Sequence, residues 1–140
     1  VTDVQRTLVL VKPDGVARSL TGEILRRIEA KGYRLTALDL RTADTLLLEA
    51  HYAEHVGKPF YAPLLQFMGS GPLVAVVVEG FRVIEGVRTI IGATDPTAAA
   101  PGSIRGDLGA DTGEKVQRNL VHASDSPESA EREIALWFPS

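Results

Sequence analysis

The 140-residue sequence contains no cysteine. That absence excludes a disulfide framework, a cysteine-based zinc site and a thiol nucleophile, and it fits a reducing compartment. The sequence also lacks any apolar run long enough to span a bilayer. Its first residues, Val1 to Gln5, are acidic-polar and have no signal-peptide architecture. A cytoplasmic protein with no membrane partner is therefore expected. Nor is there a basic run. The formal net charge is -3, with lysines and arginines scattered singly near glycines. This argues against a general nucleic-acid binder but leaves room for a local basic pocket. Neither a linker nor an internal repeat is visible.

What is present is a globular composition, 44% hydrophobic and 24% charged, over a length suited to one compact domain covering residues 1–140. Arg6 to Val11 predicts a buried strand that ends in a turn at Pro13-Asp14-Gly15, with Lys12 at the strand's end facing a cleft. Ile24, Leu25 and Ile28 form one apolar stripe, which predicts an amphipathic helix N-capped by Thr21 and stopped at Gly32. Tyr33 to Leu40 alternates as a second strand. A helix capped by Asp44 or Thr45 follows and runs through Tyr52. Another is predicted over Phe60 to Met68, after the Gly57-Lys58-Pro59 break. Leu73 to Val78 is the clearest strand, continuous and β-branched. Phe81 to Ile91 has helical spacing and ends at Gly92, and from Ala93 to Lys115 periodicity vanishes into a Gly/Pro-rich loop. A fourth strand starts at Asn119, and a last helix is N-capped by Ser126 with Pro127 in its first turn.

Two βαβ-like halves in so short a chain predict an α+β fold. The expected form is a ferredoxin-like split βαβ sandwich, a four-stranded antiparallel sheet with helices on one face. A doubly wound parallel sheet is the alternative.

The stretch Asn119-Leu120-Val121-His122-Ala123-Ser124-Asp125-Ser126 carries a histidine to the end of a strand beside a helix N-terminus. That setting suits contact with an anion. Lys12, Arg88, Thr94, Arg105 and Asn119 share an address at element ends or in the long loop, from which cations could gather around His122.

These motifs, in this order, resemble the nucleoside diphosphate kinase family. The resemblance rests on Thr7-Leu8-Val9-Leu10-Val11-Lys12-Pro13-Asp14-Gly15, on His51-Tyr52 with Gly57-Lys58-Pro59-Phe60, and on Gly92-Ala93-Thr94-Asp95-Pro96. It continues through Pro101-Gly102-Ser103-Ile104-Arg105-Gly106-Asp107, the His122 stretch, Glu128 to Ile134, and Trp137-Phe138. It implies γ-phosphoryl transfer from a nucleoside triphosphate to a nucleoside diphosphate, in ping-pong fashion through a phosphohistidine at His122. It also implies that Glu133 orients the histidine and that Ser124 completes that contact. Arg88, Arg105, Thr94 and Tyr52 would hold phosphates, and Lys12 and Asn119 the sugar hydroxyls, with Lys12 also reaching the transferring phosphate. The base would stack on Phe60 near Leu64, with Val116 on its other face. Mg2+ would ride mainly on the phosphates, without dedicated protein ligands. Self-association is implied too, a hexamer in preference to a tetramer. One departure is a loop between Leu108 and Val116 about four residues longer than the family pattern, which a surface tolerates at small entropic cost. Leu108 itself stands where the family usually has Phe.

Three rival readings compete. His51-Tyr52-Ala53-Glu54-His55 fits the H-x-x-E-H zinc-peptidase signature, which needs His51 and His55 on one helix face. Arg105-Gly106-Asp107 matches an adhesion tripeptide. A non-catalytic nucleotide sensor would keep the fold and lose the chemistry.

Overall fold

The structure is a computed structural model that describes residues 3–139; Val1, Thr2 and Ser140, part of the termini read above, lie outside that range. The element order is β1 (Val4–Val11), α1 (Pro13–Ala17), α2 (Thr21–Ala30), β2 (Arg34–Arg41), α3 (Thr45–His51), a 3-10 turn (Ala53–His55) and α4 (Tyr61–Met68). It continues with β3 (Leu73–Phe81), α5 (Val83–Ile91), α6 (Ile104–Leu108), β4 (Val121–Ala123) and α7 (Pro127–Trp137). The strands form one antiparallel sheet in the order β2-β3-β1-β4. This is the expected split βαβ arrangement.

The helices do not keep to one face, as the sequence suggested. Along β1, Val9 and Val11 pack with Ile24, Ile28, Val83, Val87 and Ile91. Leu8 and Leu10 pack on the other side with Leu48, Phe67, Met68, Ile134 and Trp137. A strand buried on both faces reads as a continuous apolar run, so the run itself cannot say how many layers cover it. β1 is the central member to which both β3 and β4 pair, and Leu10 lies opposite His122. The nucleophile candidate, on β4, is thus held against the buried end of β1.

Several local expectations change. Pro13-Asp14-Gly15 opens the short helix α1 rather than a simple turn, with proline in the first turn where its missing N–H costs nothing. Thr21 is the first residue of α2, not its cap; Leu20 holds that position with no side-chain bond. Gly32, at φ 107, does end the helix, as glycine's access to the left-handed region allows. Tyr52 follows α3 rather than lying in it, and Phe81 extends β3 instead of starting α5. The long loop contains α6, too short to show periodicity, capped by the Ser103 hydroxyl accepting from Gly106 N–H at 3.0 Å. A side chain at 106 would collide with the Ala100 carbonyl, so glycine is required beside Arg105. Asp44 and Ser126 are N-caps as expected, accepting from Leu47 N–H at 2.8 Å and Ser129 N–H at 3.1 Å.

Candidate active site

β4 is only three residues long, and it is held from both sides. Asn119 lies before it rather than within it. Leu120 intervenes at φ 75, a left-handed conformation that costs a non-glycine residue of order 1–3 kcal/mol. The turn is over-determined by its bonds. Leu120 N–H donates to Asp14 Oδ2 at 3.1 Å, and Lys12 N–H donates to the Leu120 carbonyl at 2.8 Å. Asp14 sits on α1, so the turn chemistry after β1 is also what shapes the approach to His122.

One cavity of about 370 Å³ opens over this strand. Lys12, Tyr52, Arg88, Thr94, Arg105, Asn119, His122 and Glu133 all line it, so residues from six separated segments meet there. His122 Nε2 pairs with Glu133 Oε1 at 2.9 Å, and Ser124 Oγ donates to the same oxygen at 2.7 Å. Burial pushes the Glu133 carboxyl up, but the bonds from His122 and Ser124 outweigh it and hold it below the usual carboxylate range. An ionised Glu133 accepts only, so His122 Nε2 carries a proton toward it. Nδ1 is then the nitrogen with a lone pair free for the cavity.

The cations are anchored by the same strand. Arg105, on α6, donates from Nε to the Asn119 carbonyl at 3.2 Å, from one terminal nitrogen to Gly92 at 3.1 Å, and from the other to Val121. Arg88, on the last turn of α5, donates to the Ala123 carbonyl at 3.1 Å. Lys12 Nζ donates to Asn119 Oδ1 at 2.8 Å, and the Asn119 amide donates to the Thr94 carbonyl at 2.9 Å. Burial and the neighbouring Arg105 pull Lys12 down to about 8, while burial and Arg88 bring Arg105 to about 10. At neutral pH both remain charged, so the cavity holds a fixed positive field around His122 with no lysine or arginine run in the sequence.

Four expected site residues do not line this cavity: Ser124, fully buried and bonded to Glu133, and the three assigned to the base. Phe60 is exposed at the start of α4, against the His55 ring at 5.3 Å and Lys58 Nζ at 5.8 Å. Leu64 and Val116 pack against the core on the Leu8 and Leu10 face of the sheet. Conversely, His51, Glu54, His55, Asp125 and Ser129 line it, although the phosphotransfer reading of the sequence gave them no role. The signal for His51 was its place in the His51-Tyr52 motif, overshadowed by the zincin pattern. That pattern fails on geometry: His55 lies beyond α3 in the 3-10 turn, where Nδ1 contacts Lys58 Nζ at 3.1 Å. Among the described residues, the metal-capable group joins His51 to His122 and Glu133, not to His55.

A family model described as nucleoside diphosphate kinase matches residues 5–140. The chain belongs to the nucleoside diphosphate kinase family. It is 66% identical to the nucleoside diphosphate kinase of Streptomyces coelicolor over 136 residues, covering 96% of each chain. It is 60% identical to that of Mycobacterium bovis, covering 96% of this chain and 97% of the other. Among solved structures it resembles the Halobacterium salinarum enzyme in complex with CDP, with a TM-score of 0.92 and 46% identity over 99% of this chain and 90% of that one. It also resembles the Borrelia burgdorferi enzyme, a transition-state mimic with bound vanadate and ADP. There the TM-score is 0.92 and the identity 37%, over 98% and 88% of the two chains. Membership in this family gives the cationic cavity a phosphoryl-transfer context, which neither the zinc-peptidase nor the adhesion reading supplies.

Proposed function

We propose that the chain carries out γ-phosphoryl transfer between nucleoside triphosphates and nucleoside diphosphates with His122 Nδ1 as the nucleophile. The observation that carries this reading is the His122–Glu133 bond at 2.9 Å, which commits one ring nitrogen and frees the other toward the cations. Nδ1 attacks the γ-phosphorus, the bond from phosphorus to the bridging oxygen breaks, and the nucleoside diphosphate leaves with the electron pair. The phosphohistidine then donates to a second nucleoside diphosphate by the reverse path. Glu133 and Ser124 hold the ring and balance the charge it gains. Arg88, Arg105 and Lys12 meet charge that spreads over the phosphoryl oxygens, and preorganised cations in a partly dry cleft are worth far more than in water. Thr94 and Tyr52 add hydroxyl donors, and Asn119 with Lys12 meets the sugar.

The base would lie outside the cationic cavity, on the exposed Phe60 ring with Leu64 and Val116 as apolar neighbours. Stacking accepts any base, because every base has a π-face. The charge balance fits a Mg2+ that arrives on the nucleotide. Glu133 is engaged by His122 and Ser124, and the other lining carboxylates, Glu54 and Asp125, are exposed and able to hold the ion's water shell. Bound there, Mg2+ would neutralise phosphate oxygens. A nucleotide sensor without chemistry would not need a nucleophile held in one tautomer.

Self-association is supported by β2, an edge strand. A bulge between Leu35 and Ala37 switches its alternation, and Leu38 and Leu40 are left exposed. Such an edge invites pairing with a second copy, and we favour a hexamer over a tetramer. No helix among the described residues is long and apolar enough to cross a membrane, and we place the protein in the cytoplasm.

Incubation with γ-labelled ATP tests the reading. An acid-labile, base-stable label is expected on the wild-type chain and not on His122→Ala. Equal labelling of the two proteins, or none on the wild type, overturns it.

A further inference from the structure

His51 is a buried polar residue that the mechanism above leaves without a task. It ends α3, is 3% exposed, and lines the cavity. Its ring stands edge-on to His122, with centroids 4.8 Å apart and planes at 75°. Behind it, Trp137 Nε1 approaches His51 Nδ1 at 2.9 Å. An indole nitrogen only donates. His51 Nδ1 is therefore the acceptor, and the ring's proton sits on Nε2. Trp137 is itself fixed: it is 1% exposed, and the Arg41 guanidinium stacks 4.9 Å from its ring centroid and donates to its carbonyl. Among the described residues, Nε2 finds no protein acceptor.

We propose that His51 is a positioning residue for the phosphoryl transfer: a neutral imidazole locked by Trp137 in the Nε2–H form that braces the His122 ring edge-to-face and offers a donor, not a lone pair, to the cavity in which the phosphoryl group would lie. This rests on the phosphohistidine reading. The alternative tautomer would set an Nδ1 proton against the Trp137 N–H and leave an Nε2 lone pair facing phosphoryl oxygens. A protonated ring would clash with Trp137 and place a second cation against His122. The surroundings disfavour that charge. Burial, His122 on β4, Arg132 on α7 and Lys12 after β1 all oppose it, with only Glu133 on α7 favouring it, and together they hold His51 down at about 3. Tyr52, its neighbour in sequence, meets it edge-on at 4.6 Å and is held neutral by burial, well above the usual phenol range.

The same polarity argues against a metal ion on His51, His122 and Glu133, although their donor atoms lie within 4.8 Å of one another. A histidine that binds metal through one nitrogen uses the other as a donor. Here the other nitrogen is already an acceptor.

The test uses the whole protein in two measurements. Nitrogen-15 spectra of histidine-labelled wild type should show His51 with Nε2 protonated, Nδ1 bare, and no titration down to about pH 5, where a free imidazole would be charged. An Nδ1–H tautomer or an ordinary titration overturns the proposal. Single-turnover phosphorylation is then followed against pH. His51→Gln keeps an acceptor for Trp137 and a donor for the cavity; His51→Phe keeps only bulk; Trp137→Phe removes only the indole N–H. His51→Phe should lose about tenfold or more in rate, within the range for one lost donor or orienting group, and His51→Gln should recover much of it. Trp137→Phe should shift the acid limb of the rate profile to higher pH as His51 begins to titrate. A His51→Phe enzyme that phosphorylates as fast as wild type with an unmoved profile overturns the proposal while leaving phosphohistidine chemistry intact. A wild type that takes no label overturns the parent reading, and this one with it.

Discussion

The two ends of the proposed nucleotide site are built in opposite ways. At the phosphoryl end each charged side chain assigned to the reaction is tied to backbone or to another site residue. Arg105 spans three carbonyls, Arg88 reaches Ala123, Lys12 holds Asn119, and Glu133 is shared by His122 and Ser124. At the base end, Phe60 is 38% exposed, with its ring against the His55 ring and the Lys58 ammonium. The difference follows the chemistry. Charge developing on a phosphoryl group is stabilised only by groups already in place, because reorganising them costs the same energy the reaction needs. A base needs a flat apolar face and little else. The molecule spends its buried polar groups where bonds change and leaves a surface ring where they do not.

This contrast predicts a gradient of mutational effects. The largest belongs to His122→Ala, which should lower turnover by about 10⁴-fold or more, since no other group supplies the nucleophile. Steady-state transfer between ATP and a diphosphate checks it. Arg105→Ala should follow, with about 10²–10³-fold loss in kcat, as it removes a cation and frees three carbonyls around β4. Arg105→Lys should recover little, because one ammonium cannot span three acceptors in a plane. If lysine restores the rate, the bracing of β4 is unimportant and the contrast between the two ends weakens. Glu133→Gln should cost about 10²-fold, as loss of an orienting carboxylate does elsewhere. It should fall on kcat rather than KM.

A pH experiment sharpens the contrast from the electrostatic side. Burial and Arg105 pull Lys12 to about 8 from 10.5. In that interval the unfolded chain holds a proton that the folded chain has shed, so stability of the nucleotide-free protein rises with pH across it. Nucleotide binding needs the cation, so affinity should fall over the same interval and binding near pH 8 should take up a proton. Calorimetric titration in buffers of different ionisation enthalpy measures the uptake; none at that pH contradicts the assignment. The smallest effect is expected at the base end. Phe60→Ala should cost about 1–3 kcal/mol of binding, read as a rise in KM with kcat nearly unchanged. A large kcat loss there would erase the distinction between the two ends.

The same contrast explains what the sequence revealed. The order of strands was legible because β1 and β3 are dense β-branched or apolar runs, and the terminal helix because Ser126-Pro127 is an explicit start signal. The second covering layer was not, since a run buried on both faces looks like a run buried on one. α6 escaped because five residues make little more than one turn. In the site, His122, Lys12, Arg88, Thr94, Arg105 and Asn119 could be found at element ends and through the family's motifs. Their mutual bracing could not, since most of those bonds go to main-chain carbonyls, which carry no residue identity. His51 was hidden for a related reason: its role depends on Trp137, 86 residues away in the chain. Phe60, Leu64 and Val116 came from resemblance alone, and the cationic cavity does not include them.

The central claim is that Glu133 holds His122 Nε2 and so leaves Nδ1 to take the phosphate. Its most direct test is the regiochemistry of the phosphorylated protein. Wild-type chain phosphorylated with ATP and examined by phosphorus and nitrogen-15 magnetic resonance should carry a single phosphohistidine, at His122, with phosphorus bonded to Nδ1. Phosphate on Nε2, or on a residue other than His122, would contradict the account.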